Sequence, residues 1–463
     1  MIDINERHHC TRRSAARVAR SQRRSPPMSS QLRLLAARRF LPLFLTQTLG
    51  AFEDNLFKSA FIMLVTYGTT MQSSLGPGAL AAIAGGALIV PFFLFSPTAG
   101  ELADRFERRR LLQVLKAAEL LTVIAAIAAL LAGSLVLSLV ALFALGAQAT
   151  FSSPVRYALL PQHLAADELV GGNGLLEGGT FLAILIGTIA GGIAVAVHRG
   201  TEMASVLLVV CGLCGLAASL FVPRAPAPSP GLRLSRNLAG AIAEVLGFAR
   251  QRRDVWLAIL GASWFWLVGA VFLTQIPSFA KETLGAGSGV VILFLAAFSV
   301  GVGTGSVLCG RLMRGEVSGR YAPLAALGIA AFAIDLALAG AGVRPPVMLL
   351  GVAAFLSRVA GMRIFFDLTA LAVCGGIFVV PLYAMIQRLS DEAARARIIA
   401  AGNIMNALFM TIAAAATAAL LAAGVRMTDL FLGIGVLNIA VALWSCRLLP
   451  DDAWPFVPRI LRR

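Results

Sequence analysis

Gly100-Glu-Leu-Ala-Asp104-Arg105-Phe-Glu107-Arg108-Arg109-Arg110 lies between two apolar runs, at roughly 79–99 and 111–132. Seven of its eleven residues are charged, while each flanking run is long enough to cross a bilayer core of about 30 Å as a helix. A polar knot of this kind between two spans reads as a tight turn at the membrane surface. A second stretch, Gly310-Arg-Leu-Met-Arg-Gly-Glu-Val-Ser-Gly-Arg320, follows another apolar run 210 positions later. Two further pairs repeat along the chain: Pro154-Val-Arg-Tyr157 with Pro381-Leu-Tyr383, and Gly172-Asn173 with Gly402-Asn403, at offsets of about 226 and 230. Offsets that drift upward are what insertions in the second copy produce.

Working outward, apolar runs sit at roughly 40–66, 79–99, 111–132, 134–152, 170–197 and 203–222, and again at roughly 255–279, 288–312, 321–341, 363–387, 395–423 and 428–449. The Pro- and Arg-rich segment 223–253 is too polar to span and reads as a linker. The expected division is a basic N-terminal tail over 1–39, a six-helix half over 40–222, the linker over 223–253, a second six-helix half over 254–449 and a tail over 450–463. Residues 343–362, apolar only from Val347 to Phe355, read as an interfacial loop. The fold class expected is an all-α membrane protein of twelve transmembrane helices in two related halves.

Composition agrees. Of 463 residues, 58% are hydrophobic and 13% charged, against about 25% charged in soluble domains. The formal charge of +16 comes from 36 Arg and 3 Lys. The two tails, the linker and the other even-numbered loops hold 31 of those 39, the odd-numbered loops six, and Lys58 and Lys116 lie within helices. Such alternation is the positive-inside signature and places both termini in the cytoplasm. It argues against nucleic acid as a partner. The ten Arg of residues 1–39 accompany no long apolar run, so this is not a cleavable signal peptide. Cys211 and Cys214 form a CxxC inside an apolar helix and read as packed thiols. No spacing suggests a metal, no phosphate loop is present, and no cofactor is expected.

The informative residues are the polar ones in apolar surroundings, because burying charge in a membrane is costly. In the first helix Glu53, Asp54, Asn55 and Lys58 cluster, with Asp54 and Lys58 spaced to pair along one face. Lys116 and Glu119 lie three apart in the third helix, and Glu177 is in the fifth. Gln387 ends the tenth helix, while Asn403 and Asn406 share a face of the eleventh. All ten are candidate substrate contacts; each could also be an interhelical pair. Asp335 has no evident partner along its own helix. The spacings Gly174/Gly178, Gly187/Gly191 and Gly301/Gly305 indicate close helix packing. Gly100, Asp104, Arg105, Arg108 and Arg109 are candidate gating residues. Gly100 would permit close approach of two helices, Asp104 would face the positive N-terminal end of a helix from the other half, and the arginines would meet carboxylates or anionic lipid. Arg314 stands where the repeat would place Asp104, so the latch is one-sided.

The 100–110 loop resembles the major facilitator signature G-x-L-a-D-r-x-G-r-r, with Glu107 in place of its second glycine. Two parallel six-helix repeats are also that superfamily's architecture. Longer runs, among them Arg39 to Lys58, Pro91 to Asp104, Tyr157 to His163, Glu168 to Ala183, Val379 to Gln387 and Ala400 to Phe409, resemble the bacterial lysophospholipid transporters. The usual Asn of that family before the first-helix Asp is Glu53 here. The resemblance implies flipping of lysophospholipid from the outer to the inner leaflet of the bacterial inner membrane for reacylation, by alternating access and without enzymatic activity of the chain itself. An acyltransferase or acyl-ACP ligase would be a separate partner. Gly187-Thr188-Ile-Ala-Gly191-Gly192 is similar to the G-P-x-x-G-G motif of drug/proton antiporters, with Thr188 in the proline's place. An ion-coupled exporter of small amphipathic compounds and a non-transporting membrane partner of an acyltransferase are the alternative readings.

Overall fold

The computed structural model describes residues 28–67, 77–196, 200–235, 237–344, 346 and 348–449. Most of the basic N-terminal tail and the tail 450–463 fall outside the described residues. Among the described residues twelve long helices follow one another: α1 Leu41–Tyr67, α2 Pro77–Arg105, α3 Arg108–Leu131, α4 Leu135–His163, α5 Leu169–Ala196 and α6 Gly200–Leu220, then α7 Arg253–Ser278, α8 Ser288–Met313, α9 Ala322–Ala341, α10 Val359–Leu389, α11 Arg395–Ala422 and α12 Met427–Ser445. Eleven helices among the described residues are long and apolar enough to cross a membrane. The exception is α1, with 27 residues. At 1.5 Å per residue it spans about 40 Å, and what sets it apart is Glu53, Asp54 and Lys58.

The two halves pack alike. In the first, α1 lies on α5, α2 on α4, and α3 on α4 and α6; in the second, α7 lies on α11, α8 on α10, and α9 on α10 and α12. The halves meet through α2 against α11 and α5 against α8, two contacts exchanged by the repeat. The GxxxG pairs serve this packing. Gly187 and Gly191 admit the α1 backbone at Phe52 and Leu56, Gly301 and Gly305 admit α10 at Thr369 and Val373, and Gly174 and Gly178 face Ser306 and Gly303 of α8.

Helix ends differ from the expected ones where proline or charge suggested a stop. Helix α4 was expected to end near 152 but continues through Pro154 and Pro161 to His163. Proline breaks a helix in water, but inside a bundle neighbouring groups satisfy the freed carbonyls. Arg156, counted with the loop charges, is therefore an intramembrane side chain. Helix α2 likewise runs to Arg105, so the turn is confined to Phe106 and Glu107. Within the linker, Leu238–Gln251 is an amphipathic helix capped by Asn237, whose side chain accepts from Gly240 N at 3.2 Å. Its stripe Ala241, Val245 and Ala249 is buried against the bundle.

Among the described residues, 343–358 form no membrane-crossing helix, and Val359–Met362, expected in the loop, are the first turn of α10. Leu350 exchanges backbone hydrogen bonds with Gly285 and Gly287, each 2.9 Å, and Val352–Leu356 is a single short helix. Asp335 does have a partner: Arg363 of α10 binds it with two nitrogens, Nε at 2.9 Å and Nη2. Before α1, Gln31 inserts between α5 and α8, donating to Gly171 O at 3.3 Å and resting against Gly310. Arg39 clasps Glu168 with two hydrogen bonds, 2.8 and 2.6 Å.

Candidate functional site: a polar cavity above a latch

A cavity of about 480 Å³ lies between the halves, within the range that holds a small ligand. Its floor is built from the repeat pair Tyr157 and Tyr383, whose rings stack with centroids 5.2 Å apart. Trp266 Nε1 donates to the Tyr383 hydroxyl at 2.7 Å, and the Tyr157 hydroxyl donates to Glu177. Beside the rings, Ser153 and Asn403 bond across the halves at 3.0 Å. From this floor the cavity extends away from the arginine-rich end, past Asp54, Asn55 and Lys58 of α1 and Thr274 of α7.

The structure divides the ten candidate contacts. Asp54, Asn55, Lys58, Glu177, Asn403 and Asn406 line the cavity. Lys58 does not pair with Asp54; its Nζ donates to Asn55 Oδ1 at 3.0 Å. Gln387 lies beneath the floor, where it and Asn173 exchange amide hydrogen bonds of 2.8 and 2.9 Å between the halves. Glu53, Lys116 and Glu119 are not in the lining. They are buried between α1, α3 and α6, with Lys116 Nζ 2.6 Å from Glu119 Oε1 and Glu53 against Gly212. The structure thus places these four residues outside the cavity lining.

Arg156 is the residue that sequence reasoning missed. It lines the cavity, is 8% exposed, and its Nε has no protein partner. Glu177, fully buried, likewise leaves Oε2 without a partner. Unpaired buried polar atoms are costly, and here one basic and one acidic side chain that line the same cavity each carry one, a combination suited to a ligand with both charges. The signal available in the sequence is Arg156 beside Tyr157 in Pro154-Val-Arg-Tyr157, whose counterpart in the second half is Pro381-Leu-Tyr383.

Below the floor, toward the arginine-rich end, Asp104 meets the first turn of α11. Its carboxylate accepts from the backbone N–H of Ala396 and Arg397 at 3.1 and 3.2 Å, and from Arg397 Nε at 3.3 Å. On its own side it accepts from Arg108 Nη2 at 3.0 Å, a guanidinium that is fully buried. Gly100 makes this approach possible: a Cβ there would stand 2.8 Å from Arg397 Cα. Arg397 is held from three sides, with Glu244 of the linker helix at 3.7 Å and the Phe248 ring at 4.5 Å. Arg109 binds Leu220 O at 3.0 Å, and Arg105 lies over Phe106. Those two stay on their own half. Among the described residues no group of His, Cys, Asp and Glu could hold a metal ion.

Two repeated six-helix halves, meeting at two equivalent helix pairs around a polar cavity closed at one end, define a membrane carrier of the two-repeat type. Residues 43–368 match the model of the Major Facilitator Superfamily, and the chain belongs to that superfamily. It is similar to the lysophospholipid transporter LplT of Serratia proteamaculans, 27% identical over 361 residues covering 76% of this chain and 81% of that protein. The LplT of Klebsiella pneumoniae is 26% identical over 364 residues, with the same coverage. Among solved structures, the human organic anion transporter MFSD10 superposes with a TM-score of 0.67 at 14% identity, covering 90% of this chain and all of that one. A bacterial ferroportin homologue in its outward-facing state gives 0.62 at 16% identity, covering 87% and 97%.

Proposed function

We propose that this chain is a lysophospholipid carrier of the bacterial inner membrane, with both termini cytoplasmic, working by alternating access. The observation that carries the reading is the pair Arg156 and Glu177, oppositely charged, each with an unpartnered buried atom, in the lining of one cavity. A lysophospholipid such as lysophosphatidylethanolamine offers a phosphate and an amine at fixed separation, and one acyl chain that can stay in apolar surroundings. Arg156 and Lys58 supply the cations for the phosphate; Glu177 and Asp54 supply acceptors for the amine. The similarity to LplT proteins supports the substrate class. The positive-inside bias supports the orientation. With that orientation, the latch and the stacked tyrosines close the cytoplasmic end, and the cavity receives lipid from the outer leaflet. Reacylation by a separate acyltransferase would consume the product.

Uptake of lysophosphatidylethanolamine into proteoliposomes tests this. A charge-assisted hydrogen bond contributes about 1.5–3 kcal/mol, so Arg156→Gln should lower uptake roughly 10- to 150-fold. Glu177→Gln should impair the amine-bearing lipid more than a lysophospholipid with an uncharged alcohol headgroup. Wild-type protein that moves no lysophospholipid, or Arg156→Gln with full uptake, overturns the reading.

A further inference from the structure

The two seams between the halves are built differently at the arginine-rich end. By the repeat, Gly310 of α8 occupies the place of Gly100 of α2. Gly100 receives the α11 backbone directly, and the Asp104 carboxylate is bound beside it. At the second seam α8 ends in Arg314 instead of an aspartate, in a left-handed turn with φ 50°. Deeper in the membrane α5 and α8 touch backbone to backbone, Gly174 against the Ser306 carbonyl and Gly178 against Gly303. Nearer the arginine-rich end a third element stands between them. A Cβ on Gly310 would lie 2.8 Å from Gln31 Nε2, 2.8 Å from its Oε1 and 3.0 Å from its Cδ. From the α5 side, a Cβ on Gly171 would lie 3.2 Å from Gln31 Cγ, and one on Gly174 3.5 Å from Nε2. Three glycines, two on one half and one on the other, thus enclose a single amide. That side chain is 8% exposed and donates to Gly171 O at 3.3 Å.

We propose that Gln31 is a second gating residue, an amide wedge supplied by the segment before α1 that closes the α5–α8 seam where the second repeat lacks its aspartate. The proposal rests on alternating access and on the orientation given above, and not on the lipid. Gln31 is carried by a short helix, Met28–Arg33, followed by the turn Leu34–Ala36. The first half holds this segment. Leu34 and Phe40 are buried, Phe40 lies 3.6 Å from where a Cβ on Gly172 would stand, and Arg39 binds Glu168 and the His163 carbonyl. Gln31 therefore projects from the first half into a recess of the second, as Asp104 does at the other seam. For the arginine-rich end to open, α5 must part from α8 and Gly310 must leave the amide. The bond to Gly171 O stays within the first half through that movement, so the hold on α8 is one of shape rather than charge. Gly310 is what makes the recess, since any side chain there would occupy the space of the wedge.

The test measures opening of the seam in the full-length protein and needs no substrate, so it stands apart from the lipid reading. Ser306→Cys places a thiol one turn deeper than Gly310, at a fully buried residue where α8 meets α5. Its labelling by an impermeant maleimide in inside-out vesicles, less that of the native cysteines, reports separation of the two helices. Gln31→Ala should speed the labelling roughly 2- to 12-fold, the span of one neutral contact. Gly310→Ala and Gly171→Ala should do the same by pressing the amide out from either side, and they stand in if Gln31→Ala folds poorly. Because all three act through one contact, Gln31→Ala combined with Gly310→Ala should exceed neither alone. The melting temperature should hold, since Leu34, Phe40 and the Arg39 clasp remain. Unchanged labelling in Gln31→Ala, increases that multiply in the double variant, or a melting temperature that falls in step with labelling overturns the proposal. The same acceleration found only in right-side-out vesicles overturns the orientation and leaves the wedge in place.

Discussion

Replacing Asp104 by Asn separates what the latch does for stability from what it does for the conformational equilibrium. Four donors converge on the carboxylate. Arg108 belongs to the same half, so its loss of charge compensation is felt in every state of the protein. Breaking a buried pair costs about 3–5 kcal/mol, lessened because an Asn oxygen still accepts. The two backbone N–H groups and Arg397 belong to the other half and are engaged only while α2 abuts α11. Converting two charge-assisted bonds to neutral ones forfeits about 1 kcal/mol each, and loss of the Arg397 pair adds up to about another 1 kcal/mol, since Glu244 and Phe248 retain that side chain. The latched state should lose about 2–3 kcal/mol, which is roughly a 30- to 150-fold shift toward opening at the arginine-rich end. Gly402 lines the void just beneath the floor, and a side chain there meets nothing closer than Ile259 at 3.8 Å. Gly402→Cys is therefore a reporter that fits. Its labelling by an impermeant maleimide in inside-out vesicles should accelerate by that factor in Asp104→Asn. Arg397→Gln should accelerate it without the fall in melting temperature. Equal labelling rates in Asp104→Asn and its parent would reduce the loop to a charged turn with no hold on α11.

Gly100→Ala tests the same contact by crowding rather than by charge. Its Cβ would stand 2.8 Å from Arg397 Cα and 2.9 Å from Ala400 Cβ, and overpacking costs about 1–3 kcal/mol. Opening measured with the same reporter should rise roughly 5- to 150-fold, while Gly433→Ala, which meets nothing within 4 Å, should leave it unchanged. The Arg39–Glu168 clasp should be pH-sensitive. Burial pushes the Glu168 carboxyl up, but the Arg39 hydrogen bonds and the Ala165 N–H outweigh it and hold the group below its usual 4.5. A value lowered by folding contributes stability that is full above the unfolded value and is lost as pH falls through the folded one. With Arg39 44% exposed, the contribution is under about 1 kcal/mol. Protection of residues 31–40 against hydrogen exchange, corrected for the intrinsic rate at each pH, should fall as pH drops below the usual 4.5, and Glu168→Gln should flatten the dependence.

Span, repeat and latch were legible because each depends on rules that act along the chain or between repeats. Apolar length locates the helices. Gly100 and Asp104, four apart at a helix end, announce a close approach and an anionic cap whatever lies opposite. The cavity was legible only in part, because charges inside a bundle choose partners across helices. Asp54 and Lys58 obey the i,i+4 spacing, yet Lys58 takes Asn55 at i+3; both spacings place side chains on one face, and the local rule cannot choose between them. Asp335 and Arg363 are 28 positions apart on different helices, where no periodicity connects them. Arg156, just past the expected end of α4, and Arg397, just inside the expected start of α11, both lie at the arginine-rich end, where an arginine satisfies the positive-inside rule at no cost. In the folded chain α4 absorbs Pro154 and carries Arg156 inward to the cavity, while α11 starts early enough to set Arg397 on Asp104. An arginine near the expected end of a helix therefore has two readings, and what decides between them is whether the bundle supplies a buried carboxylate or a cavity within its reach.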